Sequence, residues 1–491
     1  MSGIANLSQL QNLFRVQGVR TAYAKLLSPK QDNDKNQIYL GGGLDGVTNL
    51  FPATIEVRAA SISKAKRKSA IGKPKLEAQV DFAWLGKNGG RYDAPNTRII
   101  DYFQYPEVRM SGFLKGCEAG PDALRRRLLG NFGRRILVMG TASDGKVVGI
   151  VLTERDDPLA ADFPDLPLVA TRGVLRVLMI DGEVGADPAE LLRHELATIV
   201  RGGWHSSRIN RGGKIEPFSG SQGGGYTLEA LLGVAANGNK APDRHGFEIK
   251  SFSGSRISLM TPTPDLGFQG AHNFREFMER FGHPAVNGDG SRRFTGLHKS
   301  GTVNAKTGLE LRLTGYDRMN DKFGDAAEVT VQLYHVETGE IAAAWSLEKL
   351  ANCWNAKHAS ALYITFKSRV GAGGLTEYQY ASSWLQGRGT DVWRLLRAID
   401  RGIVFYDPAD TIYADNRAKV RPQWRINSGQ LPQAMALLYE EPPPVRVEPR
   451  PMLARISEPS RKPIQSARTA SRPRRSRPLS VHSQISRTRQ P

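Results

Sequence analysis

Asp243, Glu248 and Lys250 stand close together in the stretch Ala241-Pro-Asp-Arg-His-Gly-Phe-Glu-Ile-Lys250, and Glu229 precedes them in Tyr226-Thr-Leu-Glu-Ala-Leu-Leu-Gly233. Two carboxylates and a lysine at Glu-x-Lys spacing are a set that can hydrolyse a phosphodiester bond with the help of Mg²⁺. Hard oxygen ligands suit that ion, which usually takes one or two carboxylates together with substrate phosphate and water. If residues 246–253 form a strand, residues at i and i+2 share a face, so Glu248 and Lys250 project together and Ile249 turns into the core. Asp243 then meets them across the bend before the strand. Gly246 permits a tight approach there. The lysine can orient or deprotonate the attacking water, or stabilise charge on the phosphate.

Glu-x-Lys alone is common on solvated strand edges. The surrounding residues narrow the reading. Pro242-Asp243 followed by Glu248-Ile-Lys250 is similar to the PD-(D/E)xK nuclease signature. The words TLEALLGVAANGNKAPDRHGFEIKS and ISLMTPTPDLG resemble the MvaI/BcnI restriction endonuclease family, a relative of the MutH mismatch-repair nickase. The resemblance spans about Gly223 to Glu440 and is densest between Tyr226 and Gly267. It implies a Mg²⁺-dependent endonuclease that cuts double-stranded DNA at a short specific site. Asp243, Glu248, Lys250 and Glu229 are then the catalytic residues. Asp243, Glu248 and the Ile249 carbonyl hold the metal, and Glu229 orients these ligands or holds a second ion through water. It further implies a monomer and a cognate DNA methyltransferase acting on the same site. A partner-dependent nickase of the MutH kind and a catalytically silent DNA-binding protein are the alternatives. The complete Asp/Glu/Lys set argues against the silent one.

The elements that must position this set read as follows. Leu228–Val234 is a helix, and residues 246–253 and 256–262 pair as an antiparallel hairpin around Ser253-Gly254-Ser255. Residues 273–282 are a helix, and strands follow at 309–316, 327–336, 341–346 and 360–368. Ser346 caps a helix over 346–357, and residues 391–408 run from helix to strand at Gly402. The fold class is α/β: a restriction-endonuclease-like mixed sheet flanked by helices, preceded by a separate mixed α/β N-terminal domain. Residues 1–215 form that domain, with a helix around Leu7–Leu27, strands at 54–60, 77–85, 135–142, 147–154 and 175–181, and a helix at 187–200 capped by Asp187. The run RRILVMGTASDGKVVGIVLTE is a hairpin about Asp144-Gly145. SSRINRGGKIEPFSGSQGGGYT has the composition of a linker into a nuclease domain at 216–442.

The charge is formally +20 over 491 residues, which favours a polyanionic partner. From Pro443 to Pro491 twelve Lys/Arg face two Glu, about half of that excess. This Pro/Ser/Arg-rich tail cannot bury enough apolar surface to fold and is expected to be disordered. Further DNA contacts are expected from Lys66, Arg67 and Lys68 in SKAKRKSAIGKPK, from the LRRRLLGNFGRR run (124–135), from His245, and from Lys357-His358 after Trp354, which resembles a W-x-x-K-H motif of the family. Arg417, Lys419, Arg421 and Arg425 form a late basic cluster. Each of these also has a plain reading as a solvated or structural residue. Two cysteines, Cys117 and Cys353, are too few for a disulfide framework or a thiolate zinc site, so both are expected as buried free thiols. There is no run of membrane-span length and no N-terminal apolar signal region, which predicts a cytoplasmic protein without a membrane partner.

Deleting residues 443–491 should leave the folded part intact, weaken nonspecific DNA binding and flatten its dependence on salt, because fewer counterions are released. Affinity measured against salt concentration checks this, and an unchanged slope would mean that the tail does not touch DNA.

Overall fold

The computed structural model describes residues 4, 6–27, 36–58, 75–102, 107–125, 128, 132–154, 157–159, 162–169, 173–180, 187–236, 243–355 and 358–440. Residues 1–449 cluster as one compact unit. Lys66, Arg67, Lys68, Lys357 and the basic tail lie outside the described residues.

Two sheets make up the N-terminal part. The first has six strands in the order 176–179, 21–27, 135–141, 147–153, 82–85 and 91–93. All of its neighbours are antiparallel except 147–153 against 82–85. The Asp-Gly hairpin forms as expected, with Gly145 at φ 88°. The second sheet is antiparallel, in the order 37–41, 107–111, 98–102, 75–79 and 54–58. The expected helix over 7–27 is shorter. It runs Leu7–Arg15 with Asn6 as its cap, the chain turns at Gly18 (φ 76°), and Thr21–Leu27 is a strand. Ala22 and Ala24 are buried on one face and Leu27 on the other, as in a strand covered on both faces, so the tertiary context overrides the helical start. The run 77–85 likewise splits between the two sheets.

The site sits on a four-stranded sheet in the order His205–Ser206, Thr376–Arg388, Ser360–Val370 and Glu248–Phe252. It is mixed: Glu248–Phe252 is the edge strand and runs parallel to Ser360–Val370, whose other neighbour is antiparallel. One face packs on helices Pro188–Arg201 and Gly223–Leu231, burying Leu192, Leu196, Leu228, Leu232, Phe247, Ile249, Leu362 and Ile364 together. Ala361 and Tyr363, the register partners of Glu248 and Lys250, belong to the other core. The alternation of the edge strand is therefore the expected one, with Ile249 buried among the helices.

Residues 246–253 and 256–262 are not a hairpin. Glu248–Phe252 belongs to the sheet just described, whereas Arg256–Met260 pairs with Trp424–Asn427 in another three-stranded sheet. Both strands bury apolar residues on their own sheets, and a short Ser-Gly-Ser link serves a crossing between sheets as readily as a turn. Strands Leu309–Leu313, Thr330–His335 and Ile341–Ser346 form an antiparallel meander, followed by helix Leu347–Asn355, where the Ser346 hydroxyl accepts from the Lys349 N–H at 3.1 Å. The segment read as a linker is ordered as a hairpin of Arg208–Arg211 with Lys214–Pro217.

One apolar core runs from Leu27, Ile38 and Phe51 to Trp345, Leu395 and Tyr439, so the N-terminal sheets and the later ones share it. Side chains of helix Leu347–Asn355 cover the open edge of strand Thr54–Arg58. The Asn352 amide accepts from the Ile55 N–H at 2.7 Å and donates to the Ile55 carbonyl at 3.0 Å, acting as a substitute strand. Glu348 accepts from the Val57 N–H. Asn49 adds a bond to the Thr390 carbonyl at 2.6 Å. Asn352→Ala leaves two strand-edge groups without partners and should cost about 1–3 kcal/mol. Denaturant unfolding reads the loss, and amide exchange at 54–58 should rise more than elsewhere.

Candidate active site

Asp243 is the residue before a tight turn. The Arg244 and Phe247 backbones exchange hydrogen bonds of 2.8 and 3.1 Å across it, and the two residues between, His245 (φ 50°) and Gly246 (φ 79°), both have positive φ. That backbone is the I′-like form in which a glycine at the second central position avoids a steric penalty. Histidine in the left-handed region is uncommon and costs free energy unless it is held. Glu195 of helix Pro188–Arg201 holds it. Its carboxylate accepts from Arg244 Nε at 3.0 Å and Nη2 at 2.5 Å, and His245 Nε2 lies 3.0 Å from Glu195 Oε1. These charge-assisted bonds push the Glu195 carboxyl down to about 2, against the opposing effect of its burial. Sequence reading missed Glu195. Its signal, an acidic residue one helix away, has no local pattern.

The turn delivers Asp243 to the edge strand. Asp243 Oδ2 accepts from the Ile249 N–H at 2.8 Å, which sets its carboxylate beside Glu248. Glu248 is buried, and Lys250 Nζ donates to Glu248 Oε1 at 2.6 Å. Burial and the neighbouring Glu248 charge raise the Asp243 carboxyl to about 7; Glu229 adds to the rise, while the Ile249 N–H and Lys250 oppose it. Lys250 is held above its ordinary value: burial pulls it down, but the adjoining Glu248 and Asp243 charges outweigh that. Lys250 is therefore a cation here. Beneath it Tyr363, its register partner, meets Tyr439 with hydroxyl oxygens 3.2 Å apart. Neither tyrosine was expected at the site.

The structure thus brings together Asp243, Glu248, Ile249 and Lys250 on one strand edge, with Glu229 near enough to act on Asp243 electrostatically. Among the described residues no group of three or more His, Cys, Asp or Glu is arranged to hold a metal ion, so a cation would rest on the Asp243–Glu248 pair and a backbone oxygen. His358 was expected at DNA and is a core residue instead. It is buried, its ring stacks on Trp354 at 4.1 Å, and its Nε2 donates to the Leu259 carbonyl at 3.2 Å. His245, expected at phosphate, is half-buried beside Asp243 at the cleft, with its Nε2 3.0 Å from Glu195 Oε1. In the late cluster Arg425 is tied to Asp407 at 2.7 Å and Arg417 to Asp415 at 2.7 Å. In the 124–135 run, Arg135 is buried against the Ala123 carbonyl. Cys117 and Cys353 form no disulfide and are half-buried. No described helix is long and apolar enough to cross a membrane.

Residues 193–439 match the model of the MvaI/BcnI restriction endonuclease family. The chain belongs to this family. Solved structures similar to it include the restriction endonuclease MvaI in complex with cognate DNA substrate, at 20% identity over 51% of this chain and 96% of that one with a TM-score of 0.39. The same enzyme in the absence of DNA matches at 17% identity over the same shares, with a TM-score of 0.29. No curated protein matches. The MvaI/BcnI segment begins earlier than Gly223. It starts within helix Pro188–Arg201, just before Glu195, and so includes the residue that holds the turn after Asp243. Membership makes an endonuclease the coarse reading of the chain.

The raised Asp243 carboxyl has a thermodynamic consequence. Folding without a cation takes up a proton at Asp243 between its ordinary value of 3.8 and about 7, so stability falls as pH rises through that window and stays lowered above it. Asp243→Asn keeps an acceptor for the Ile249 N–H and removes the charge. In EDTA at pH 8 this variant should melt roughly 1–3 °C above the wild type, with the difference vanishing near pH 4.

Proposed function

We propose that this protein is a Mg²⁺-dependent endonuclease that hydrolyses phosphodiester bonds of double-stranded DNA at a short specific site, through a centre of the PD-(D/E)xK kind. The observation that carries the reading is half-buried Asp243 beside buried Glu248, with Lys250 bonded to Glu248. Like-charged carboxylates confined in a desolvated place repel each other, and a hard divalent cation with oxygen preference relieves that repulsion. Asp243, Glu248 and the Ile249 carbonyl would hold the ion. Mg²⁺, when bound, supplies Lewis-acid polarisation of the phosphoryl oxygen and lowers the pKa of a coordinated water.

The chain's own residues do the rest. Lys250 is protonated beside Glu248, so it serves as a cation and donor to a phosphoryl oxygen or the attacking water rather than as the base that takes the water's proton. Glu229 tunes Asp243 from the neighbouring helix. Glu195 keeps the turn in its positive-φ form and so keeps Asp243 on the strand. The net positive charge of the chain matches a polyanionic substrate. A DNA methyltransferase reading the same site would protect the host, and a monomer is the expected active form.

Cleavage of supercoiled plasmid in Mg²⁺ against EDTA tests the reading. Asp243→Asn and Glu248→Gln should abolish cleavage while retaining DNA binding. Lys250→Ala should lower the single-turnover rate by about 10²-fold or more, in the range of losing one preorganised charge donor. Cleavage by Asp243→Asn at the wild-type rate, or a Lys250→Ala effect confined to affinity, would remove that residue from the centre.

A further inference from the structure

The catalytic turn does not face only its own family segment. A cleft of about 220 Å³ is lined on one side by Asp243 and His245 and on the other by Arg20, Thr21, Tyr23 and Ser143. These last four lie far outside residues 193–439. Their placement is set by sheet register. Thr21 pairs with Met179, the Ile180 N–H donates to the Arg20 carbonyl at 3.2 Å, and Ser143 sits in the Asp-Gly hairpin turn, where its N–H donates to the Gln17 carbonyl at 3.1 Å. The Tyr23 ring is fixed edge-on to Phe51, and its hydroxyl lies 3.9 Å from where a Cβ on Gly246 would stand.

The donors on this wall are uncommitted. Among the described residues the Arg20 guanidinium and the hydroxyls of Thr21, Tyr23 and Ser143 have no protein hydrogen-bond or ion-pair partner. Nearby Arg91, by contrast, is paired with Asp144. One exposed guanidinium with hydroxyl donors around it, across a cleft from a candidate metal carboxylate, has the donor chemistry of a phosphodiester site. Burial raises the Tyr23 phenol to about 12, so it stays a donor at neutral pH.

We propose that the N-terminal region forms the second wall of the active site, with Arg20 and the hydroxyls of Thr21, Tyr23 and Ser143 holding a backbone phosphate of the strand being cut, next to the phosphate at Asp243 and Glu248. This rests on the endonuclease reading above and extends it to residues outside the family segment. They bind and position the strand; they do not act on the reacting atoms.

The test uses the full chain with Arg20→Gln, Arg20→Lys and Tyr23→Phe. Affinity for a random-sequence duplex is read by fluorescence anisotropy over a salt series in EDTA, and plasmid cleavage in Mg²⁺ is measured in parallel. Arg20→Gln should reduce the slope of log affinity against log salt by about 1 and slow cleavage about 10-fold or more. Arg20→Lys should restore the slope but only part of the rate, because an ammonium lacks the planar fork. Tyr23→Phe should slow cleavage several-fold with the slope unchanged. Wild-type slope and rate in Arg20→Gln overturn the proposal. So does a reduced slope with wild-type cleavage, which puts Arg20 on DNA away from the cut strand. If the wild type binds but does not cut, the endonuclease reading fails while the Arg20 slope still reports whether this wall meets the backbone.

Discussion

Everything at the candidate site depends on holding two carboxylates together, one buried and one at the edge of a cleft, where water screens them only in part. Left alone, Asp243 and Glu248 would separate or protonate, and the raised Asp243 carboxyl measures that tendency. Three contacts oppose it. The Ile249 N–H binds Asp243, Lys250 neutralises Glu248, and Glu195 locks the positive-φ turn from which Asp243 projects. Each is local, but each relies on an element from elsewhere: Ile249 on the helices that bury it, Lys250 on the parallel strand carrying Tyr363, and Glu195 on a helix some fifty positions earlier in the chain.

The N-terminal region matters for the same reason. It does not hang from a linker, because the segment expected to be one is a hairpin, and the apolar core passes from the N-terminal sheets into the family segment. Asn352 and Glu348 supply the partners that strand Thr54–Arg58 would otherwise lack on its open edge. A backbone edge satisfied by side chains holds its neighbour in fixed register. Strand Thr21–Leu27, in the other N-terminal sheet, contributes Leu27 and Tyr23 to the same shared core and meets the turn after Asp243 across a defined cleft.

The misreadings share a cause. The apolar stripe Leu10, Leu13, Phe14 and Val16 supports a helix without marking its end, which comes before Gly18, where the backbone turns to positive φ. Strands 248–252 and 256–260 were joined because a short Ser-Gly link is the usual sign of a hairpin, yet each strand finds a better apolar partner in its own sheet. The short motif around His358 suggests a DNA contact, but an imidazole stacked on Trp354 and bonded to a carbonyl is equally at home in a core. In each case local pattern fits two environments, and long-range burial selects one.

The residue types and spacing determined by themselves that Asp243, Glu248 and Lys250 could share one place, because a two-residue strand period requires Glu248 and Lys250 to project together and Ile249 to turn away. They also marked the family, since its words run through the segment that carries the site. Tertiary structure alone decided what clamps the turn, which tyrosines lie beneath the lysine, and which wall faces Asp243. Glu195, Tyr363, Tyr439 and Arg20 carry no local signal, because each reaches the site through pairing and packing between segments distant in the chain. Such contacts are fixed by the burial of whole faces, which no short window of sequence contains.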